Sequence, residues 1–203
     1  MDLRERILAG ADELFCRFGI KRITMDDIAK HLGMSKKTLY QHFKDKNELV
    51  YVQIQNLLDK ERLVMDANAT NASNAVEAVF LVVTHLKEML SKMNPVIFYD
   101  LQKYHPEVWL LFKDFRYNYM KDCVLKNLKA GIEEGNFRKE INCEIMALMR
   151  LDQVDMIFNQ LVFPPGKFIM PEVMTEITEH YLYGLCTVKG HNLINNYKQL
   201  TQE

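Results

Sequence analysis

At 203 residues, 48% of them apolar and 26% charged, the chain is long enough for one large domain or for a small module fused to a larger one. Its formal net charge of −1 makes bulk charge silent on nucleic acid, so any basic footprint has to be local. The opening Met1-Asp2-Leu3-Arg4-Glu5-Arg6 lacks the apolar core of a signal peptide, and runs such as Val79-Phe80-Leu81-Val82-Val83 are too short to span a bilayer, so a cytoplasmic protein is expected.

Only 8 glycines and 5 prolines interrupt the chain, which points to an all-α fold. Leu3, Ile7, Leu8, Ala11, Leu14, Phe15 and Phe18 form a helical stripe that Gly19 ends. After a short link, Thr24 followed by Asp27 reads as a capping box for a second helix carrying Ile28, Ala29 and Leu32, stopped by Gly33. Ser35 caps a third helix with Leu39, Tyr40 and Phe43, and Asp45 with Glu48 opens a fourth whose stripe is Val50, Ile54, Leu57 and Leu58. Two short helices joined through Gly33 make a helix-turn-helix. Residues 66–74 are small and polar and read as a loop. Helices are then predicted over about 75–92, 96–103, 107–134 and 143–162, punctuated by Pro95, His105-Pro106, Gly135-Asn136 and Pro164-Pro165-Gly166. A last helix runs from near Pro171 to about Cys186. The expected architecture is a three-helix module joined by a connecting helix to a C-terminal bundle, about nine helices in all. The division falls at 1–46 and 47–203.

Charge is distributed unevenly between these parts. Residues 21–46 hold seven lysines and arginines against three aspartates, a local +4, so the remainder carries −5. A basic patch confined to a helix-turn-helix is the footprint of a DNA reader. Leu39 and Phe43, four residues apart, point toward the first two helices and leave Lys36, Lys37, Tyr40 and Gln41 facing out. The Ser35-capped helix start presents free amides beside two lysines, a setting that attracts phosphate. Thr24 and Lys46, at the starts of the flanking helices, can reach the DNA backbone, and His42 can either cap or touch phosphate.

The stretch ITMDDIAKHLGMSKKTLYQHFKDKNEL, residues 23–49, resembles the DNA-binding domain of the TetR family of transcriptional regulators. The matching positions are Thr24, Ile28, Ala29, Gly33, Ser35, Thr38, Leu39, Tyr40, His42, Phe43, Lys46 and Leu49. Met34 stands where valine is commoner and Asn47 where an acid is commoner. The resemblance covers about residues 3–50, with agreement in size and helical character beyond. It implies DNA contacts at Thr24, Ser35, Lys36, Lys37, Thr38, Tyr40, Gln41, His42 and Lys46. It implies also a homodimer and a repressor that leaves a palindromic operator when a small molecule binds the larger domain.

On that reading the last two helices form the dimer interface, through Ile145, Leu148, Met149 and Met156 on one and Ile177, Tyr181 and Leu185 on the other. Those stripes equally suit intramolecular core. Asp152 and Asp155 in the apolar first stripe need polar partners or solvent. Aromatic and methionine side chains concentrate at Met89, Met93, Phe98, Tyr99, Tyr104, Trp109, Phe112, Tyr119 and Met120, which suits an adaptable, largely apolar effector pocket and equally an ordinary core.

Cys16, Cys123, Cys143 and Cys186 are widely separated with no C-x-x-C pair, so free thiols are expected rather than a zinc site, and no metal or cofactor is anticipated. A small helical enzyme is the competing class, but no nucleophile–base spacing or glycine-rich phosphate loop emerges, and none is expected to act catalytically. A helix-turn-helix protein whose bundle binds another protein and no effector is a second alternative.

Overall fold

The computed structural model describes residues 2–94, 96–159, 161–164 and 166–200, with residue 200 described by its backbone alone. Pro95 and Pro165, read from the sequence as helix punctuation, and the outer ends of the two expected domains, Met1 and Glu203, lie outside the described residues. In chain order the elements are α1 (Leu3–Phe18), α2 (Met25–His31), α3 (Lys36–His42), α4 (Lys46–Asn71), α5 (Ala75–Ser91), α6 (Val96–Tyr104) and α7 (Pro106–Asp114). A π-helical turn (Phe115–Met120), α8 (Lys121–Glu133), α9 (Cys143–Ile157), α10 (Met170–Leu185) and α11 (Val188–Leu200) follow. The fold is all-α; one isolated bridge joins Phe137 and Cys186.

The elements fall into two compact units, Met1–Glu61 with Lys92–Asp114, and Arg62–Ser91 with Phe115–Glu203. In the first, the predicted caps take shape as hydrogen bonds. Thr24 Oγ1 accepts from the Asp27 amide (3.2 Å) while Asp27 Oδ2 accepts from the Thr24 amide (2.9 Å). Ser35 Oγ accepts from the Thr38 amide at 3.1 Å, and Asp45 Oδ1 from the Glu48 amide at 2.9 Å. Satisfying these otherwise orphaned amides lets helices as short as two turns end cleanly. Much of the set the periodicity picks out is core: Ile7, Ala11, Phe15, Ile28, Ala29, Leu39, Phe43 and Val50 are buried, as is Leu49 outside the stripe, whereas Phe18 is exposed. Each large member stabilises the fold by about 1.5–3 kcal/mol through burial.

This unit also contains α6 and α7, which the sequence places in the larger domain. The backbone at Gly19 has φ +80, and a Cβ there would lie 2.6 Å from Val96 Cγ1, so glycine both makes the turn and admits α6. The Lys21 amide donates to Asp100 Oδ2 at 2.8 Å, the Asn94 amide donates to the Cys16 carbonyl at 3.1 Å, and Lys21 Nζ sits 4.7 Å from the Tyr104 ring centre.

In the second unit, α5, α8, α9, α10 and α11 surround a core of Val76, Leu128, Phe137, Ala147, Leu182, Leu185 and Ile194. Three sequence expectations need correction. The segment 66–74 is helical as far as Asn71, because its alanines are strong helix formers; the Thr70 hydroxyl, rather than competing for the backbone amides, is satisfied by the Asp66 carbonyl (2.9 Å). The turn is only Ala72–Asn74, closed where Asn74 Oδ1 accepts from the Glu77 amide (3.0 Å) and Glu77 Oε2 accepts from the Ser73 amide (2.6 Å). The stretch 107–134 is not one helix: the π-helical turn rotates the face so that Phe115 and Arg116 point inward, with Phe115 and Tyr119 stacked at 5.3 Å. Finally, α11 continues beyond the expected last helix; Gly190 and the polar Asn195-Asn196 obscure a stripe of Leu193, Ile194 and Tyr197 that packs on the core.

Candidate nucleic-acid interface and ligand cavity

Helix α3 is held from behind by Leu39 and Phe43, both with no exposed surface, and the Arg4 guanidinium lies 5.2 Å from the Phe43 ring centre. Burying those two turns leaves Lys36, Lys37, Tyr40 and Gln41 exposed on the opposite side, Tyr40 with 49% of its surface open. Thr38 and His42 are partly buried on the flanks. Thr24 and Ser35, exposed at the starts of α2 and α3, spend their hydroxyls on capping; the Ser35 and Thr38 hydroxyls are also 2.8 Å apart.

Two lysines differ in freedom from the rest. Lys36 pairs with Asp26, an exposed contact that contributes little and gives way readily to a phosphate. Lys46 is half-buried; its ammonium donates to the Ile20 carbonyl at 2.6 Å and approaches the Lys21 carbonyl at 3.4 Å. Burial holds its pKa below the usual lysine range, against the attraction of Asp100 and Asp27. Lys46 therefore fixes the α1–α2 turn from within, whereas the exposed Lys37 has no ion-pair partner among the described residues. The Arg6–Leu32 contact (2.8 Å, guanidinium to carbonyl) and the His31–Glu13 pair (3.0 Å), which tie α1 to the rest of the motif, were not foreseen from the sequence. Together the exposed side chains form a rigid, positively charged helix face with amide and aromatic groups, suited to duplex DNA.

Residues 7–51 match the family model of bacterial regulatory proteins of the tetR family. Over those residues the chain carries a TetR-family DNA-binding domain. It is a DNA-binding transcriptional regulator. It is 25% identical over 185 residues to an uncharacterized HTH-type transcriptional regulator, YvaF of Bacillus subtilis strain 168, spanning 89% of this chain and 94% of that one. It is 50% identical over 56 residues to an HTH-type transcriptional regulator of Staphylococcus aureus strain USA300, a match spanning 28% of this chain and 30% of the other. Among solved structures, its fold is similar to a putative regulator from Saccharomonospora viridis in complex with choline (TM-score 0.71, 17% identity, 91% of this chain and 97% of that one). It is similar also to FadR from Bacillus subtilis in complex with stearoyl-CoA (TM-score 0.71, 17% identity, 89% and 98% covered).

The second unit holds a half-open cavity of about 550 Å³. Its walls come from the end of α4, α5, α8, α9 and α10, with Val79, Val82, Leu86, Met120, Val124 and Leu151 among the apolar lining and Asp66, Glu134 and Arg150 among the charged. Of the nine aromatic and methionine residues expected at a pocket, Met120 alone lines this one. Phe98, Tyr99, Tyr104, Trp109 and Phe112 belong to the first unit. There Phe98 meets Phe112 edge-on and Trp109 stacks on Phe112, while Tyr99 is exposed and accepts from Lys103 Nζ at 2.7 Å. Met89 and Met93 are partly buried at the end of α5 and beyond it. Tyr119 stands beside the cavity, its hydroxyl donating to the lining Asp66 (2.7 Å) and lying 2.9 Å from the Arg62 carbonyl. Burial raises the pKa of both Tyr119 and the lining Cys123.

Of the residues expected at a dimer interface, Ile145, Leu148, Met149 and Met156 are exposed on α9, and Ile177 is partly buried. Tyr181 and Leu185 lie inside this chain's own core, because the inward stripe of α10 runs through Met174, Thr178, Tyr181, Leu182 and Leu185. Asp152 and Asp155 both pair with the inward-facing Arg116, at 2.6 and 2.8 Å. The sequence reading gave Arg150 no role, although it interrupts an apolar register of Ala147, Leu151 and Val154 on α9. An arginine in such a register is the one signal that could have marked it.

Proposed function

We propose that this regulator is a homodimeric repressor that holds a palindromic operator through α3 and lets go when a small molecule occupies the cavity of the second unit. The observation that carries the reading is the pairing, in one chain, of a lysine-bearing helix face anchored by buried Leu39 and Phe43 with a half-open, mostly apolar cavity of a volume typical of small-molecule sites. Lys37, Tyr40 and Gln41 read base edges or phosphates, Lys36 reaches phosphate by leaving Asp26, and Thr24, Ser35, Thr38, His42 and Lys46 frame the backbone contacts. The exposed apolar side chains Ile145, Leu148, Met149 and Met156 support a second copy packing on α9. The choline and stearoyl-CoA held by proteins of similar fold support small molecules as the controlling ligands. The four cysteines are free, in keeping with a reducing cytoplasm.

A dimer of this kind places its two recognition helices about one DNA turn apart, ~34–36 Å, to read both half-sites. A ligand that favours another spacing weakens DNA binding by the same factor with which DNA weakens the ligand. Selection from a random duplex library, followed by light scattering of the complex, tests this: an inverted repeat bound by two chains is expected. A site without symmetry, bound by one chain, refutes the dimer and the palindrome together.

A further inference from the structure

Resting on that sensor reading, we infer that the cavity recognises an organic anion, a mostly apolar molecule whose carboxylate pairs with the guanidinium of Arg150. The arginine is only 7% exposed, yet it lines the cavity. One terminal nitrogen, Nη2, donates to the Thr178 hydroxyl at 2.9 Å, and the guanidinium lies 5.0 Å from the Tyr181 ring centre. The other, Nη1, is buried without a hydrogen-bond partner, and no carboxylate among the described residues forms an ion pair with Arg150. A buried cation compensated only by a hydroxyl and a ring face is a costly arrangement that an anionic partner relieves.

The acids of the lining, Glu134 and Asp66, form no ion pair with Arg150, and one oxygen of each serves other donors. Glu134 Oε2 accepts from the Ala75 amide (2.9 Å) and from Asn136 Nδ2 (2.7 Å), and Asp66 Oδ1 accepts from the Tyr119 hydroxyl (2.7 Å). Among the described residues of the lining, the buried side-chain atom left without a hydrogen-bond partner is thus a donor on a positive group. Away from Arg150, the Val79, Val82, Leu86, Met120 and Val124 side chains offer an unbranched or ring-bearing body an apolar surface, and Lys126 is the second cation of the lining. The planar, two-pronged guanidinium matches the geometry of a carboxylate better than that of a single-point acceptor such as an alcohol.

The test is a titration of the full chain with three probe series of matched chain length, from eight to about twelve carbons: n-alkyl carboxylates, primary alcohols and alkyl-trimethylammonium ions. Calorimetry is the first readout and release of selected operator DNA the second. The carboxylate is expected to bind on the order of tenfold to a hundredfold more tightly than the alcohol of equal length. In Arg150→Met that preference is expected to vanish while alcohol affinity stays within about threefold, which also shows that the cavity is intact. An alcohol or ammonium ion that equals or beats the carboxylate in the wild type overturns the anion assignment while leaving the sensor reading in place. A preference that survives Arg150→Met overturns the assignment to Arg150. Binding by no probe of any charge overturns the sensor reading and the inference together. The wild-type series stands without any variant, so a poorly folding Arg150→Met does not rescue the inference.

Discussion

Replacing Phe43 by alanine separates the inward and outward faces of α3 by experiment. The ring is fully buried and stacked under Arg4. Its loss forfeits about 1.5–3 kcal/mol of burial. The hole left behind raises the total to about 3–5 kcal/mol. A domain has only about 5–15 kcal/mol in all, so the unit is left marginal. With a urea slope near ~2 kcal/mol per molar, the unfolding midpoint should fall by about 2 M. The single tryptophan, Trp109, belongs to the same compact unit and reports on it by fluorescence. Lys37→Ala should do the opposite: an exposed side chain costs within about 0.5 kcal/mol of stability, while a lost phosphate contact flattens the salt dependence of DNA binding by ~0.9 in log–log slope. A Phe43→Ala midpoint within about 0.5 M of wild type, together with a clear loss in Lys37→Ala, would show that the inside and outside of the recognition helix have been assigned the wrong way round.

Gly19→Ala combines a left-handed backbone with a methyl 2.6 Å from Val96 Cγ1 and should cost at least ~2 kcal/mol in urea unfolding, whereas Gly33→Ala, at φ +63 with open space around it, should cost only the backbone share of ~1–2 kcal/mol. Val96→Ala restoring nothing to the Gly19 variant would remove the steric account. Lys46→Ala should lower stability by about 0.5–1.5 kcal/mol, since the Ile20 carbonyl loses its shorter donor and keeps the Ile23 amide at 3.3 Å; an unchanged urea midpoint would mean the turn does not need the ammonium. For pH, burial and then the Lys46 charge hold the His105 imidazole below its ordinary 6.5, with Asp100 pulling the other way. The unfolded chain therefore binds more protons than the folded one just below that pH, so stability is full above about 6.5 and falls as pH drops through the window beneath it. Melting temperatures from pH 7.5 down to 5.5 should fall less steeply in His105→Gln than in wild type; parallel curves would clear His105 of the effect.

The helix-turn-helix was legible because its determinants are local: a cap and an acid three residues on, a glycine after the last turn, and apolar side chains at three- and four-residue intervals. The cavity was not. A cluster of aromatic residues in the chain says nothing about which unit it packs into, and Phe98, Trp109 and Phe112 pack against one another beside the DNA-binding helices. The cavity instead forms where small side chains such as Ala69, Ala75 and Ala78 leave room, an absence that hydrophobic patterning does not register. The π-helical turn was missed for a related reason: one residue slipped within an otherwise helical pattern changes its face without breaking its period.

The bond from the Lys21 amide to Asp100 bears on how this protein could be recombined. Splicing after residue 46 strands that amide, and it takes the Asn94 amide from the Cys16 carbonyl. A hybrid regulator made by grafting the first 46 residues onto a foreign body would inherit the reading head without the brace it leans on. The exchangeable module is discontinuous along the chain, since residues 92–114 travel with it. One crossover cannot move such a module intact; three are needed, at the end of the first segment and on either side of residues 92–114, or a host that already supplies a carboxylate where Asp100 stands.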